Sequence, residues 1–255
     1  MNINEKLKNN DIEQNAFNKT KTQQSSIIAS SLIWFGYCLA IAFGTAALIN
    51  TTLFTPFLSF LLNNVEILIT MSVGAIVLLF VTFFFGMRMN FWVLLPIVTF
   101  LMFWFGIGAL GALLQYAAQN INWSVLFLIL LVPAIITTVT GFLAFYNKIN
   151  IANLWVPMIT LAISMLIVGL LSFFFLFSKF LYTVYLLLGV ALMVIYMAFD
   201  WFLIIKFDSV YKRLDPESQS KIKVAQIGLF FGFKLAYDYI YLTIYLIRIY
   251  LAFKN

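Results

Sequence analysis

Two aspartates, Asp200 and Asp238, each sit inside an apolar stretch long enough to cross a bilayer. A carboxylate at the centre of a membrane helix costs about 2.5–3.5 kcal/mol on the insertion scale, so such residues face a cavity or a partner rather than lipid. The chain has only nine acidic residues, and two of them stand here. Carboxylates held a few ångströms apart share a proton and titrate as a unit, which makes a pH-sensitive latch. Two cations can compete for such a pair. Lys234 precedes Asp238 by four residues, on the same helical face. Arg88, at the end of another apolar run, falls at a similar depth and could pair with either aspartate. A plainer alternative is that Lys234 and Asp238 only neutralise each other, since structural ion pairs bury charge as functional ones do.

The elements that must position these residues follow from composition. The 255 residues are 64% hydrophobic and 9% charged, with a mean hydropathy of +1.04. A water-soluble domain of this size could not cover itself with so few charges, so the lipid bilayer is the expected solvent and first partner. Seven apolar runs fall near 27–49, 64–86, 91–115, 123–146, 153–177, 180–205 and 225–253. Each meets the requirement of about 20 residues for a span. Lipid admits only helices or closed barrels, and runs without strict alternation exclude a barrel. The predicted fold class is therefore an all-α membrane protein with seven transmembrane helices. Residues 1–26 are polar and predict a disordered cytoplasmic tail, followed by a transmembrane domain over 27–255 with a cytoplasmic loop at about 206–224. The tail lacks the form of a signal peptide, so the first run reads as a retained helix.

Eleven of the fifteen Lys and Arg fall in the tail and in alternate loops, among them Arg88, Lys148, Lys206 and Lys223. Lys179, Arg248 and Lys254 fall on the opposite side. The positive-inside rule then puts the N-terminus in the cytoplasm and the C-terminus outside, in a multi-pass plasma-membrane protein. Heavy use of Phe, Ile, Asn and Lys fits an AT-rich bacterial genome. Asp200 lies six residues before Lys206, about 9 Å in, and Asp238 fifteen after Lys223, about 22 Å in. The depths match only if the last helix runs two or three turns beyond the membrane, and Asp215-Pro216-Glu217-Ser218 reads as such a helix start.

Other chemistry is thinly supported. There is no His and only one Cys, Cys38, which reads as a small packed residue. That removes disulfides and thiolate or imidazole metal sites. A retinal pocket fits badly, because the third run has no acidic counter-ion for a lysine in the seventh. No nucleotide-binding, hydrolase or zinc motif is present, so the chain is not expected to be an enzyme or to hold a cofactor. The charges cluster at the ends and in one loop, which excludes a nucleic-acid surface. Gly106, Gly108, Gly111 and Ala112 offer the third helix a face for close packing.

The closing segment, Lys234-Leu235-Ala236-Tyr237-Asp238-Tyr239-Ile240-Tyr241-Leu242 followed by Leu246-Ile247-Arg248-Ile249, resembles that of the Bax inhibitor-1 family. Tyr196-Met197-Ala198-Phe199-Asp200 is similar to the family's aspartate motif before the last loop, and Met87-Arg88 to the basic end of its second helix. The resemblance implies a seven-helix bundle wrapped around the final helix. It also implies a pH-sensitive leak of cations, Ca²⁺ above all, gated by Asp200 and Asp238, with those carboxylates meeting the ion and with Arg88 and Lys234 modulating the gate. Other members of that family regulate membrane proteases or suppress cell death, so a non-transporting regulator with a membrane-protein partner is the alternative. This sequence departs from the pattern at Tyr241, where the family has Asn, and at Lys234. A fixed positive charge beside the gate repels a divalent cation.

Overall fold

The computed structural model describes residues 26–50, 56, 59–60, 63–146, 151–174, 178–213 and 220–254. Seven helices are long and apolar enough to cross a membrane, and there is no strand among the described residues. They are α1 (Ile27–Leu48), α2 (Val65–Phe85), α3 (Phe91–Asn120), α4 (Trp123–Phe145), α5 (Ile151–Phe174), α6 (Lys179–Tyr211) and α7 (Lys221–Lys254). The expected tail (all but Ser26), Lys148 and the Asp215–Ser218 helix start lie outside the described residues.

Local chemistry sets several boundaries. The Ser26, Asn90 and Asn122 side chains accept from the backbone N–H of Ala29, Trp92 and Ser124, satisfying donors that a helix start leaves open. Three ends differ from the sequence expectation. α3 runs five residues past the predicted 115, because nothing breaks it before Ile121 turns extended. α6 continues into the predicted loop as far as Tyr211, and α7 begins at Lys221. The polar stretch 206–211 contains no Gly or Pro, and its one acid, Asp208, is buried against α1 rather than solvated.

α7 is the axis. In its best membrane window 78% of residues are buried, against 11% for α2 and 6% for α5, so those two are the outer helices. α1, α6, α4 and α3 pack directly on α7, and its apolar residues are buried around its circumference, as a central helix requires. The most extensive pairing is α1 on α7. A Cβ added to Gly232 would stand 2.6 Å from the Phe35 nitrogen, and one on Gly228 would meet the Ser30 Cβ at 2.6 Å. Gly228 and Gly232 form the small-xxx-small spacing that lets membrane helices touch backbones. α1 meets them with Ser30, Ser31, Trp34 and Phe35, while Ala42 and Ala46 of its buried small-residue stripe face α3.

α1 also packs on α3. Gly106–Gly111 forms a π-helical segment, and a Cβ on Gly106 would collide with Thr45 and Ala42 of α1. The predicted small face of α3 is used at Gly106 and Gly111, whereas Gly108 has open space beside it.

The two ends of the bundle are fixed by cross-helix bonds. At one end Gln226 Nε2 donates to the Met87 carbonyl at 3.0 Å, Ser30 Oγ to the Val224 carbonyl at 3.3 Å, and the Ile27 N–H to Asp208 Oδ1 at 2.7 Å. At the other end Lys254 Nζ donates to the Asn120 carbonyl. The start of α1, the α2–α3 turn and the facing ends of α6 and α7 thus share one side, and the Lys/Arg-rich described segments are on it.

Candidate functional site: a buried Asp–Lys–Asp cluster

Asp200 comes from α6, and Lys234 and Asp238 from α7. Both carboxylates are inside the bundle, with Asp200 1% and Asp238 5% exposed. Lys234 Nζ donates to Asp200 Oδ1 in an ion pair between the two helices. The Asp200 and Asp238 carboxyls are near enough for their charges to interact. Asp200 Oδ2 and Asp238 Oδ2 are buried without a hydrogen-bond partner. The Tyr196 side chain, one turn before Asp200, also feels all three charges.

Helix register explains the assembly. Asp208 on α6 and Val224 on α7 both bond the first turn of α1. From there Asp200 is eight residues in, about 12 Å, and Lys234 ten, about 15 Å, at 1.5 Å per residue. Helical side chains lean toward their own N-terminus. Lys234 therefore leans back along α7 and meets Asp200 on the antiparallel α6. The sequence expectation paired Lys234 with Asp238 on its own helix; the bond to Asp200 corrects this, and a lysine preceding its acid by four residues is the poorer intrahelical orientation.

The Arg88 expectation is also corrected. Arg88 is exposed, and neither of the two ion pairs among the described residues includes it. Its neighbour Met87 is held by Gln226, twelve residues before Asp238 on α7, or about 18 Å along the axis. Glu66 is exposed in the first turn of α2, and Arg248 is exposed near the end of α7. Cys38 is a buried free thiol in the α1 stripe, as expected.

Beside Asp238, one stripe of α7 carries Tyr237, Tyr241 and Tyr245. Their rings follow one another at 4.4 and 6.5 Å, and Tyr185 of α6 stands 6.5 Å from Tyr245. Tyr237 also packs edge-on against Phe83 and Phe105, closing this flank with aromatic rings. On the other flank, Trp201 lies against Gly141, where a Cβ would come within 2.9 Å of the indole. Trp201 lines a groove of about 540 Å³ shared by α1, α4, α6 and α7, a groove whose lining includes none of the three charged residues.

One site went unforeseen. Asp208 is 4% exposed and clamps the start of α1, accepting from Ser26 Oγ at 3.1 Å and from the Ile27 and Ile28 N–H groups at 2.7 and 3.4 Å. Lys212, four residues on, pairs with its other oxygen at 2.6 Å. The i,i+4 spacing with Lys212 is visible in the sequence; the α1 partner is not.

Among the described residues no group of three or more His, Cys, Asp or Glu could hold a metal ion. Two carboxylates and an ammonium can hold, exchange or release a proton or one cation. No family model matches the chain, and no curated protein matches it.

Proposed function

We propose that this chain is a proton-regulated cation leak protein of the Bax inhibitor-1 type, with Asp200, Asp238 and Lys234 as its closed gate. The observation that carries the reading is the burial of two carboxylates from α6 and α7 around one ammonium inside a membrane bundle. Protonating Asp200 removes the charge that holds Lys234 and loosens α6 from α7, so leak rises as pH falls. The titratable side chains facing the cluster are few. α6 brings Tyr196, and α7 brings Tyr237. Of the other helices packed on α7, α1 carries only Tyr37 and Cys38, α3 only Tyr116, and α4 none. The Lys/Arg-rich end lies in the cytoplasm of a bacterial plasma membrane, and Ca²⁺ is the ion that the family resemblance suggests.

Proteoliposome flux tests this. Wild-type leak should change several-fold between pH 8 and pH 6, and Asp200→Asn and Asp238→Asn should each flatten that response. Unaltered pH dependence in both variants removes the mechanism.

The ammonium in the site favours a second reading, a non-transporting regulator that binds another membrane protein such as a protease. Cross-linking from Lys212 and Lys221, which flank the α6–α7 connection, distinguishes it. A reproducible membrane partner together with no ion flux supports the regulator.

A further inference from the structure

The groove between α1, α4, α6 and α7, about 540 Å³ in volume, is walled by apolar side chains such as Leu32, Leu39 and Phe142. Three of its hydroxyls donate to helix carbonyls: Thr137 Oγ1 to Pro133 at 2.7 Å, Thr138 Oγ1 to Ala134 at 2.8 Å and the Tyr239 hydroxyl to Leu130 at 2.8 Å. Trp201 differs. It is 7% exposed, and its Nε1 is buried with no hydrogen-bond partner among the described residues. The ring atom nearest to the methyl position of Gly141 is Cε2, which is bonded to Nε1, so the N–H edge runs along the Gly141 wall of the groove. A buried donor without an acceptor is destabilising, and lipid hydrocarbon offers it none.

The groove also matches the depth of one leaflet. α4 lines it from Ala134 to Tyr146, about 18 Å along the helix axis. Tyr146 caps α4 and is exposed, as an aromatic residue at headgroup level is. A headgroup layer is about 5–8 Å deep on either side of about 30 Å of hydrocarbon. Gly141, with Trp201 against it, lies about 7.5 Å in from Tyr146. That is the boundary between headgroup and hydrocarbon, where glycerol esters join the two. A helix of another protein would bring no free carbonyl to this depth, because its backbone is bonded within itself. We infer that the groove is a site for an acyl chain of a membrane glycerolipid, with the ester carbonyl accepting from Trp201 Nε1. The chain then runs inward past Leu39 and Ala134, and the ester rests beside Gly141, where the absence of a side chain leaves it room. The inference stands apart from the leak reading and uses none of the three charged residues.

Native mass spectrometry of the full-length chain in detergent tests this with two probes, a diacyl phosphatidylcholine and its dialkyl ether counterpart, which lacks the ester carbonyls. Their zwitterionic headgroup keeps the Lys/Arg-rich end from dominating the binding. Wild type should hold one ester lipid about three- to tenfold more tightly than the ether, the span of one net hydrogen bond. Trp201→Phe keeps an aromatic ring but no N–H, and should bind the two probes alike. Thr138→Phe fills the groove from an exposed position and should weaken both, whereas Val139→Phe, exposed and outside the lining, should change neither. Equal affinity of wild type for the two probes overturns the inference and leaves the groove to a protein helix. An ester preference that survives Trp201→Phe also overturns it, as does ester binding that ignores Thr138→Phe. The wild-type comparison and the Thr138–Val139 pair decide the matter if Trp201→Phe does not fold.

Discussion

At the scale of single residues, three carboxylates are buried among the described residues, and each is treated differently. Asp200 receives an ammonium from a neighbouring helix, Asp238 receives no cation of its own, and Asp208 receives backbone N–H groups. The last is helix capping performed by a residue of another helix. Its removal should act locally. Asp208→Ala deletes a cap, worth about 0.5–2 kcal/mol, together with an ion pair to half-exposed Lys212 worth at most about 1 kcal/mol. We expect Asp208→Ala to lower thermal stability by about 1–2 kcal/mol and to speed hydrogen exchange at Ile27 and Ile28. Asp208→Asn, which can still accept from those groups, should lose less than half as much. Unchanged exchange at the start of α1 in Asp208→Ala would show that the clamp is not what holds it.

At the scale of elements, two glycines with opposite surroundings give a sharper test. At Gly232 a methyl group would press into the α1 backbone, 2.7 Å from the Ser31 carbonyl oxygen, whereas Gly108 has nothing within 4 Å. Gly232→Ala should therefore destabilise by about 1–3 kcal/mol, the usual cost of overpacking. Gly108→Ala should be neutral or stabilising by up to about 1 kcal/mol, from helix propensity. Thermal melting of the purified variants decides it, and equal melting temperatures would mean that α1 and α7 are not in backbone contact. The spans themselves were legible from hydropathy, because lipid demands about 20 apolar residues and the chain supplies seven such runs. Their polar ends were not. Lys206–Tyr211 reads as loop until Asp208 finds its partners 180 residues away in sequence. The aspartates were legible because charge inside an apolar run is rare, and Lys234 was legible as their neighbour. Its choice of Asp200 depends on the antiparallel register of α6 and α7, which no local spacing reveals.

At the scale of the whole molecule, cross-helix bonds sort the described helix ends into two sets, one joined around Asp208 and Met87 and one around Asn120. If the first faces the cytoplasm, an impermeant maleimide should label Lys179→Cys in intact cells and Arg88→Cys only after permeabilisation. Native Cys38 is buried and leaves a silent background. The reverse labelling pattern would invert the proposed orientation. The central place of α7 has a consequence for biosynthesis. The axis of the bundle leaves the ribosome after α1, α3, α4 and α6, so these four spans enter the bilayer before the surface they pack on exists. Until then Ser30 and Ser31 of α1 lack the glycines they pack on, and Asp200 lacks its ammonium. Assembly must therefore wait on the insertion of α7, and a chain cut before that span is a natural substrate for membrane quality control.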